Sequence, residues 1–174
     1  MADLSGKKVL MIIASQNFRD EEYLEPRQIF ESHGMEVVTA SSKTGELAGM
    51  MGATATAGSE IGDVNVSDFD AVVFVGGTGA AEYFDNARAH AIATEAHESG
   101  KVLAAICIAP SILANAGVLQ GRQATAYSSE QQNLESHGAT YTGKSVTRDG
   151  SIITANGPGA ATGFGNAIVH ALSG

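Results

Sequence analysis

Apolar residues follow two rhythms along this chain. Unbroken runs at 8–13, 71–75 and 102–106 are too short for buried helices and lack the alternation of a half-exposed strand. Each reads as a strand covered on both faces. Shorter runs at 36–40, 124–127, 139–142 and 151–155 read as further strands, and 43–69 holds weakly patterned pieces that suit small strands and turns. The second rhythm is helical. Tyr23, Pro26 and Phe30 share one face of a helix over 21–33, with Pro26 expected in its first turns, where a missing N–H matters least. An Ala-rich stretch, 86–99, is closed by Gly100, a short helix over 111–116 ends at Gly117, and Phe164, Ile168 and Leu172 stack at spacing four in a closing helix.

Buried strands that alternate with amphipathic helices require crossovers on both sides of a sheet. The expected fold class is therefore α/β, a three-layer sandwich with a mostly parallel central sheet, formed as one domain over residues 1–174. Composition agrees, with 44% hydrophobic and 17% charged residues. A chain of this length buries roughly 70% of its unfolded surface, enough for a core without staples. Ten Lys and Arg against 19 Asp and Glu give a net charge of −9, and only Lys7 and Lys8 are adjacent. No basic stripe exists to bind nucleic acid. The sole cysteine, Cys107, excludes an internal disulfide. No apolar run is long enough to span a membrane, and the run from Val9 to Ala14 is too short for a signal-peptide core. A cytoplasmic location is expected.

In parallel sheets the reactive groups gather beyond the carboxyl ends of the strands. Three strand ends carry chemistry here: the loop before Glu21-Glu22, the Gly76-Gly77 pair, and Cys107. In Ala104-Ala105-Ile106-Cys107-Ile108-Ala109-Pro110 a strand passes through cysteine and turns at once into a helix, with Ala two residues to either side. A nucleophile elbow needs such small neighbours, and a helix N-terminus favours thiolate. The plain alternative is a small core residue. Gly76-Gly77-Thr78-Gly79 lacks the third glycine of a dinucleotide fingerprint, since Glu82 stands there; it suits either a tight turn or N–H donors facing an oxyanion. Glu21 or Glu22 could hold a thiol's proton, and spacing does not choose between them. The five histidines form no metal pattern, and no P-loop is present, so neither a metal nor another cofactor is expected.

These residues together resemble the DJ-1/PfpI superfamily, a flavodoxin-like branch of the class I glutamine amidotransferase-like fold. The likeness spans nearly the whole chain. It is carried by Ala-Ala-Ile-Cys-Ile-Ala-Pro at 104–110, Val-Gly-Gly-Thr-Gly at 75–79 and Glu-Tyr-Leu-Glu-Pro at 22–26, with Ala-Thr-Ala-Tyr at 124–127 and Asn-Gly-Pro-Gly at 156–159. The resemblance implies that Cys107 is the elbow nucleophile and that Glu22, four residues before the helix proline, hydrogen-bonds its sulfur. It further implies that Gly76, Gly77 and Ile108 line the oxyanion side of the pocket, and that Gly157-Pro158 approaches it. Two positions depart from the pattern. Ile108 stands where the peptidase-like branch has a His, and Tyr127 where the branch closest to DJ-1 has one.

The function implied is a cysteine-dependent, stress-protective lyase or hydrolase acting on small reactive carbonyls, as a cofactor-free glyoxalase or deglycase. Alternatives are a redox sensor working through Cys107 oxidation, a PfpI-type peptidase or amidase, and an isonitrile hydratase. The partners expected are a small-molecule carbonyl substrate and a second copy of the chain in a homodimer or higher homo-oligomer, with no nucleic acid and no membrane.

Overall fold

Strand residues of alternating parity feed two separate cores, and this explains the unbroken apolar runs. The computed structural model describes residues 2–174. The chain runs β1 (Lys8–Ile12), α1 (Asp20–Ser32), β2 (Glu36–Ser41), β3 (Gly45–Ala48), β4 (Thr54–Ala57), β5 (Ser59–Glu60), β6 (Ala71–Phe74) and α2 (Ala87–Glu98). It continues with β7 (Val102–Ile106), α3 (Pro110–Asn115), β8 (Gln123–Ala124), α4 (Gln131–Ser136), β9 (Thr140–Tyr141), β10 (Val146–Asp149), β11 (Ile152–Ala155) and α5 (Ala161–Ser173). One row across the sheet, Val38–Leu10–Val72–Leu103–Ile152, faces α2 and α3. The next row, Met11–Val73–Ala104–Ile153, faces α1 and α5. Burying one such Val, Leu or Ile is worth about 1.5–3 kcal/mol, so a polar residue on either face of these strands would be costly.

The main sheet has seven strands in the order β10-β11-β7-β6-β1-β2-β5, all parallel except β10, which runs antiparallel on β11. The five long parallel strands taken in chain order give the flavodoxin-like arrangement 2-1-3-4-5, whose order reverses between β1 and β6. That reversal opens a crevice at their carboxyl ends. The expected three-layer α/β architecture is present. On one face α5 packs closely on α1: a Cβ at Gly165 would come within 2.9 Å of Ile29 Cδ1 and 3.1 Å of Pro26 Cα.

Local differences from the sequence pattern have physical causes. Pro26 falls in the second turn of α1, beyond the positions whose N–H has no partner within the helix. It withholds the N–H that would have bonded the carbonyl of Glu22, loosening the helix next to that residue. The run 124–127 pairs only at Gln123–Ala124, in a small sheet with β9. Beyond it the Thr125 N–H donates to Thr154 Oγ1 and the Tyr127 N–H to the Cys107 carbonyl, so the chain leaves the ladder to close over Cys107. Hairpin β3–β4 folds its turn back against the start of α1, where Asp20 accepts hydrogen bonds from the N–H groups of Met51 (3.0 Å) and Ala53 (2.7 Å). Among the described residues no helix is long and apolar enough to cross a membrane.

Candidate active site

Cys107 follows directly on β7 and adopts φ +66°, a left-handed conformation that a non-glycine residue reaches at a cost of about 1–2 kcal/mol. Two hydrogen bonds hold it there. Its N–H donates to the Ala155 carbonyl on β11 (2.9 Å), and its carbonyl accepts from the Tyr127 N–H (2.8 Å). The chain then enters α3 through Pro110, which has no N–H to leave unpaired in the first turn. The strand-to-helix turn therefore sets the side chain apart from the sheet ladder, and the sulfur is half-buried.

Two glycines after β6 make room around it. A Cβ on Gly76 would collide with Glu22 Oε1 and lie 2.6 Å from both Cys107 Cβ and the Ile106 carbonyl oxygen, so only glycine fits between the thiol and the carboxyl. Gly77, at φ +102°, would drive a side chain into the Arg19 nitrogen and to 2.6 Å from the Asn17 carbonyl oxygen. The loop after β1 is tied to this segment by Arg19 N–H to Gly76 O (2.9 Å) and Gly79 N–H to Asn17 O (3.1 Å). The N–H groups of Gly77 and Ile108 lie near enough to the Cys107 sulfur to favour its charged form, without either completing a hydrogen bond to it among the described residues.

The two adjacent acids at the start of α1 face opposite ways. Glu21 forms a two-point pair with Arg19, to Nε at 3.0 Å and Nη2 at 2.8 Å. Glu22 is fully buried beside Cys107, and among the described residues neither of its oxygens meets a donor at full hydrogen-bond geometry. Burial pushes the Glu22 carboxyl up to about 8, outweighing the downward pull of the Cys107 thiol, the Arg19 charge and the Gly76 N–H. The thiol is also pushed up, to about 12, by burial first and then by the charge of ionised Glu22, against the two nearby N–H groups. This differs from the sequence expectation of a thiolate favoured by a helix N-terminus. Helix α3 has only six residues, and its short dipole is outweighed by desolvation. Repulsion from Glu22 exists only while that carboxyl is ionised.

A cavity of about 460 Å³ opens over the sulfur, lined by Arg19, Met50, Gly77, Thr78, Cys107, Ile108, Tyr127, Ser129 and Pro158. Of the residues picked out in the sequence, Cys107, Gly77, Ile108, Tyr127 and Pro158 share this wall. Glu22 and Gly76 lie buried behind it, and Gly157 sits back against the Tyr127 ring. Arg19, Met50 and Ser129 had no signal in the sequence, and Thr78 stood out there only as part of the Gly-Gly-Thr-Gly turn. Met50 comes from the β3–β4 turn, where its sulfur accepts the Thr78 N–H at 3.4 Å. Among the described residues no histidine lines the cavity. Among the described residues no group of three His, Cys, Asp or Glu side chains is placed to hold a metal.

The fold and site thus define a flavodoxin-like α/β protein with a thiol at a central strand end beside a buried carboxyl. Comparison with known proteins narrows the class. The DJ-1/PfpI family pattern matches residues 7–171, and the chain belongs to that family. It is 40% identical over 173 residues to an uncharacterized protein of Methanocaldococcus jannaschii, spanning 98% of this chain and 84% of that one. It is 33% identical over 150 residues to a Pyrococcus abyssi protein named a deglycase, spanning 86% of this chain and 90% of that one. Among solved structures, a ThiJ/PfpI domain protein from Brachyspira murdochii superposes with a TM-score of 0.93 at 34% identity, over 95% of each chain.

Proposed function

We propose that this protein is a cysteine-dependent, stress-protective enzyme acting on small reactive carbonyls, as a cofactor-free glyoxalase or deglycase, with Cys107 as an elbow nucleophile and Glu22 as its proton partner. One observation carries the reading: a half-buried cysteine in a cavity wall, with a buried carboxyl behind it and two backbone N–H groups close by. The deglycase name of the Pyrococcus abyssi relative supports the substrate class.

The reactive state of the pair keeps one proton and one negative charge. With the carboxyl at about 8 and the thiol at about 12, the resting pair holds its charge on Glu22 and its proton on sulfur; the reactive form arises when the thiol proton passes to the adjacent Glu22 carboxylate, leaving a thiolate beside the Gly77 and Ile108 N–H groups. The thiolate adds to the aldehyde carbon of an α-oxoaldehyde. A carbon–sulfur bond forms, and the C=O electron pair moves to the oxygen, where the same N–H groups can follow it. Glu22 supplies the proton that completes the hemithioacetal. As a carboxylate it then takes the proton from the former aldehyde carbon, giving an enediol, and returns it to the neighbouring carbon while the hydroxyl proton passes from the first oxygen to the second. The product is a 2-hydroxy thioester. Water hydrolyses it to a hydroxy acid and restores the thiol, so no net oxidant is needed.

The test is conversion of methylglyoxal to lactate. Cys107→Ser and Glu22→Gln are expected to abolish it. Turnover at the wild-type rate in either variant would overturn the reading. A redox role is favoured by one feature, the two unpartnered Glu22 oxygens beside the sulfur, since a protonated carboxyl there could hydrogen-bond a cysteine sulfinate. Mass spectrometry after mild peroxide checks it: the absence of a two-oxygen adduct on Cys107 at low oxidant would rule it out.

A further inference from the structure

Arg19 supplies the one charged side chain in the wall of the Cys107 cavity, among the described residues. A guanidinium offers two edges that can each grip a carboxylate through paired N–H donors, Nε–Nη2 and Nη1–Nη2. Glu21 occupies the first, and among the described residues Glu21 is the sole hydrogen-bond partner of the Arg19 side chain. The second edge is unused. The neighbouring acids do not compete for it: Asp20 is engaged by the Met51 and Ala53 N–H groups, and Glu22 is sealed behind Gly76. The rest of the wall is apolar or hydroxylic, from Met50, Ile108, Tyr127, Pro158, Thr78 and Ser129. Its volume of about 460 Å³ leaves space beyond a three-carbon oxoaldehyde seated on the sulfur.

We propose that Arg19 makes the cavity select α-oxoaldehydes that carry a carboxylate at their far end, the aldehyde meeting Cys107 and the carboxylate the free guanidinium edge. The inference deepens the carbonyl reading and rests on it for the reacting end. The carboxylate itself undergoes no chemistry, and the bond changes are those given above. Lysine at this position would keep the charge and lose the two-point grip.

Two assays separate the inference from the reading beneath it. The first measures alkylation of Cys107 by iodoacetate and by iodoacetamide, two small electrophiles that differ in charge. The second compares kcat/KM for dioxopentanoate, which has an α-oxoaldehyde at one end and a carboxylate at the other, with that for its methyl ester. Both run at fixed ionic strength, because the chain's net charge of −9 repels anions at long range. Arg19→Gln is expected to lower each anion-to-neutral rate ratio about tenfold, the loss of a charged hydrogen-bonded contact. Glu21→Gln is expected to raise both ratios, because it removes the negative charge that holds the first edge and leaves the whole guanidinium charge to the incoming anion. Alkylation ratios that ignore both substitutions, or move the same way in both, would overturn the assignment of Arg19. Ratios that shift as stated while neither carbonyl is turned over would uphold anion recognition and refute the carbonyl enzyme.

Discussion

Replacing Glu22 with Gln tests the buried carboxyl through stability alone. In the folded chain Glu22 titrates at about 8, against 4.5 for the free side chain. A group whose folded pKa lies above its unfolded value binds its proton more tightly when folded. Its contribution is complete below about pH 4.5 and is lost as pH rises towards 8. Each tenfold change in proton affinity is worth about 1.4 kcal/mol, so the loss across that window has a ceiling of roughly 5 kcal/mol, with about 3 kcal/mol gone by pH 7. The total does not depend on whether Glu22 or Cys107 gives up the proton, because folding is linked to the protons held by the pair. Gln has no proton to lose and nearly the shape of the protonated acid. Glu22→Gln should therefore match wild type near pH 5 and exceed it increasingly up to pH 8. For a chain of this size the full difference corresponds to roughly 10–20 °C in Tm. Urea unfolding of both proteins at intervals from pH 5 to pH 9, with the denaturant slope checked for constancy, reads it directly. A stability difference that stayed flat across the range would mean that the folded carboxyl titrates normally, and the site geometry would be refuted.

Other substitutions probe the supports. Gly76→Ala forces a methyl group against the Cys107 Cβ, the Ile106 carbonyl and the Glu22 carboxyl, and two of those three have no freedom to move. It should cost about 1–3 kcal/mol, or roughly 2–12 °C by thermal denaturation; an unchanged Tm would show that the gap is wider. Asp20→Ala removes the acceptor for the Met51 and Ala53 N–H groups and should cost about 1–3 kcal/mol in chemical denaturation. It should also expose the turn between β3 and β4 to proteolysis, and a turn as resistant as wild type would show that Asp20 does not hold it.

The sheet could be read from the sequence wherever it is buried on both faces. β6, β7 and β1 after Lys8 are apolar without interruption because two helical layers cover them, and Asn86 marked the start of α2, where its side chain caps the Ala89 N–H. Antiparallel β10 gave no such signal. It is an edge strand of mixed polarity, Val-Thr-Arg-Asp, held by one neighbour. Helix α4 went unseen because only Leu134 of its six residues is buried. At the site, Cys107, Gly76 and Gly77 were legible because turn geometry restricts the residue types there. Choosing Glu22 over Glu21 took a family resemblance. In the structure the difference lies in Arg19, which holds Glu21 outward, and a contact between neighbouring loop side chains leaves no periodic trace. Arg19, Met50, Thr78 and Ser129 reach the cavity from four separate segments, so only the tertiary fold brings them together.

The account depends on a reachable Cys107 sulfur whose proton is linked to Glu22. The pH dependence of Cys107 alkylation by iodoacetamide, in wild type and in Glu22→Gln, measures both properties at once. Wild type should give a curve broader than a single ionisation, because two groups titrate against each other. Glu22→Gln should give a single ionisation with its midpoint below the upper step of the wild type, since the charge that pushes the thiol up is gone. Superimposable curves, or a native thiol that does not react at any pH, would contradict the account.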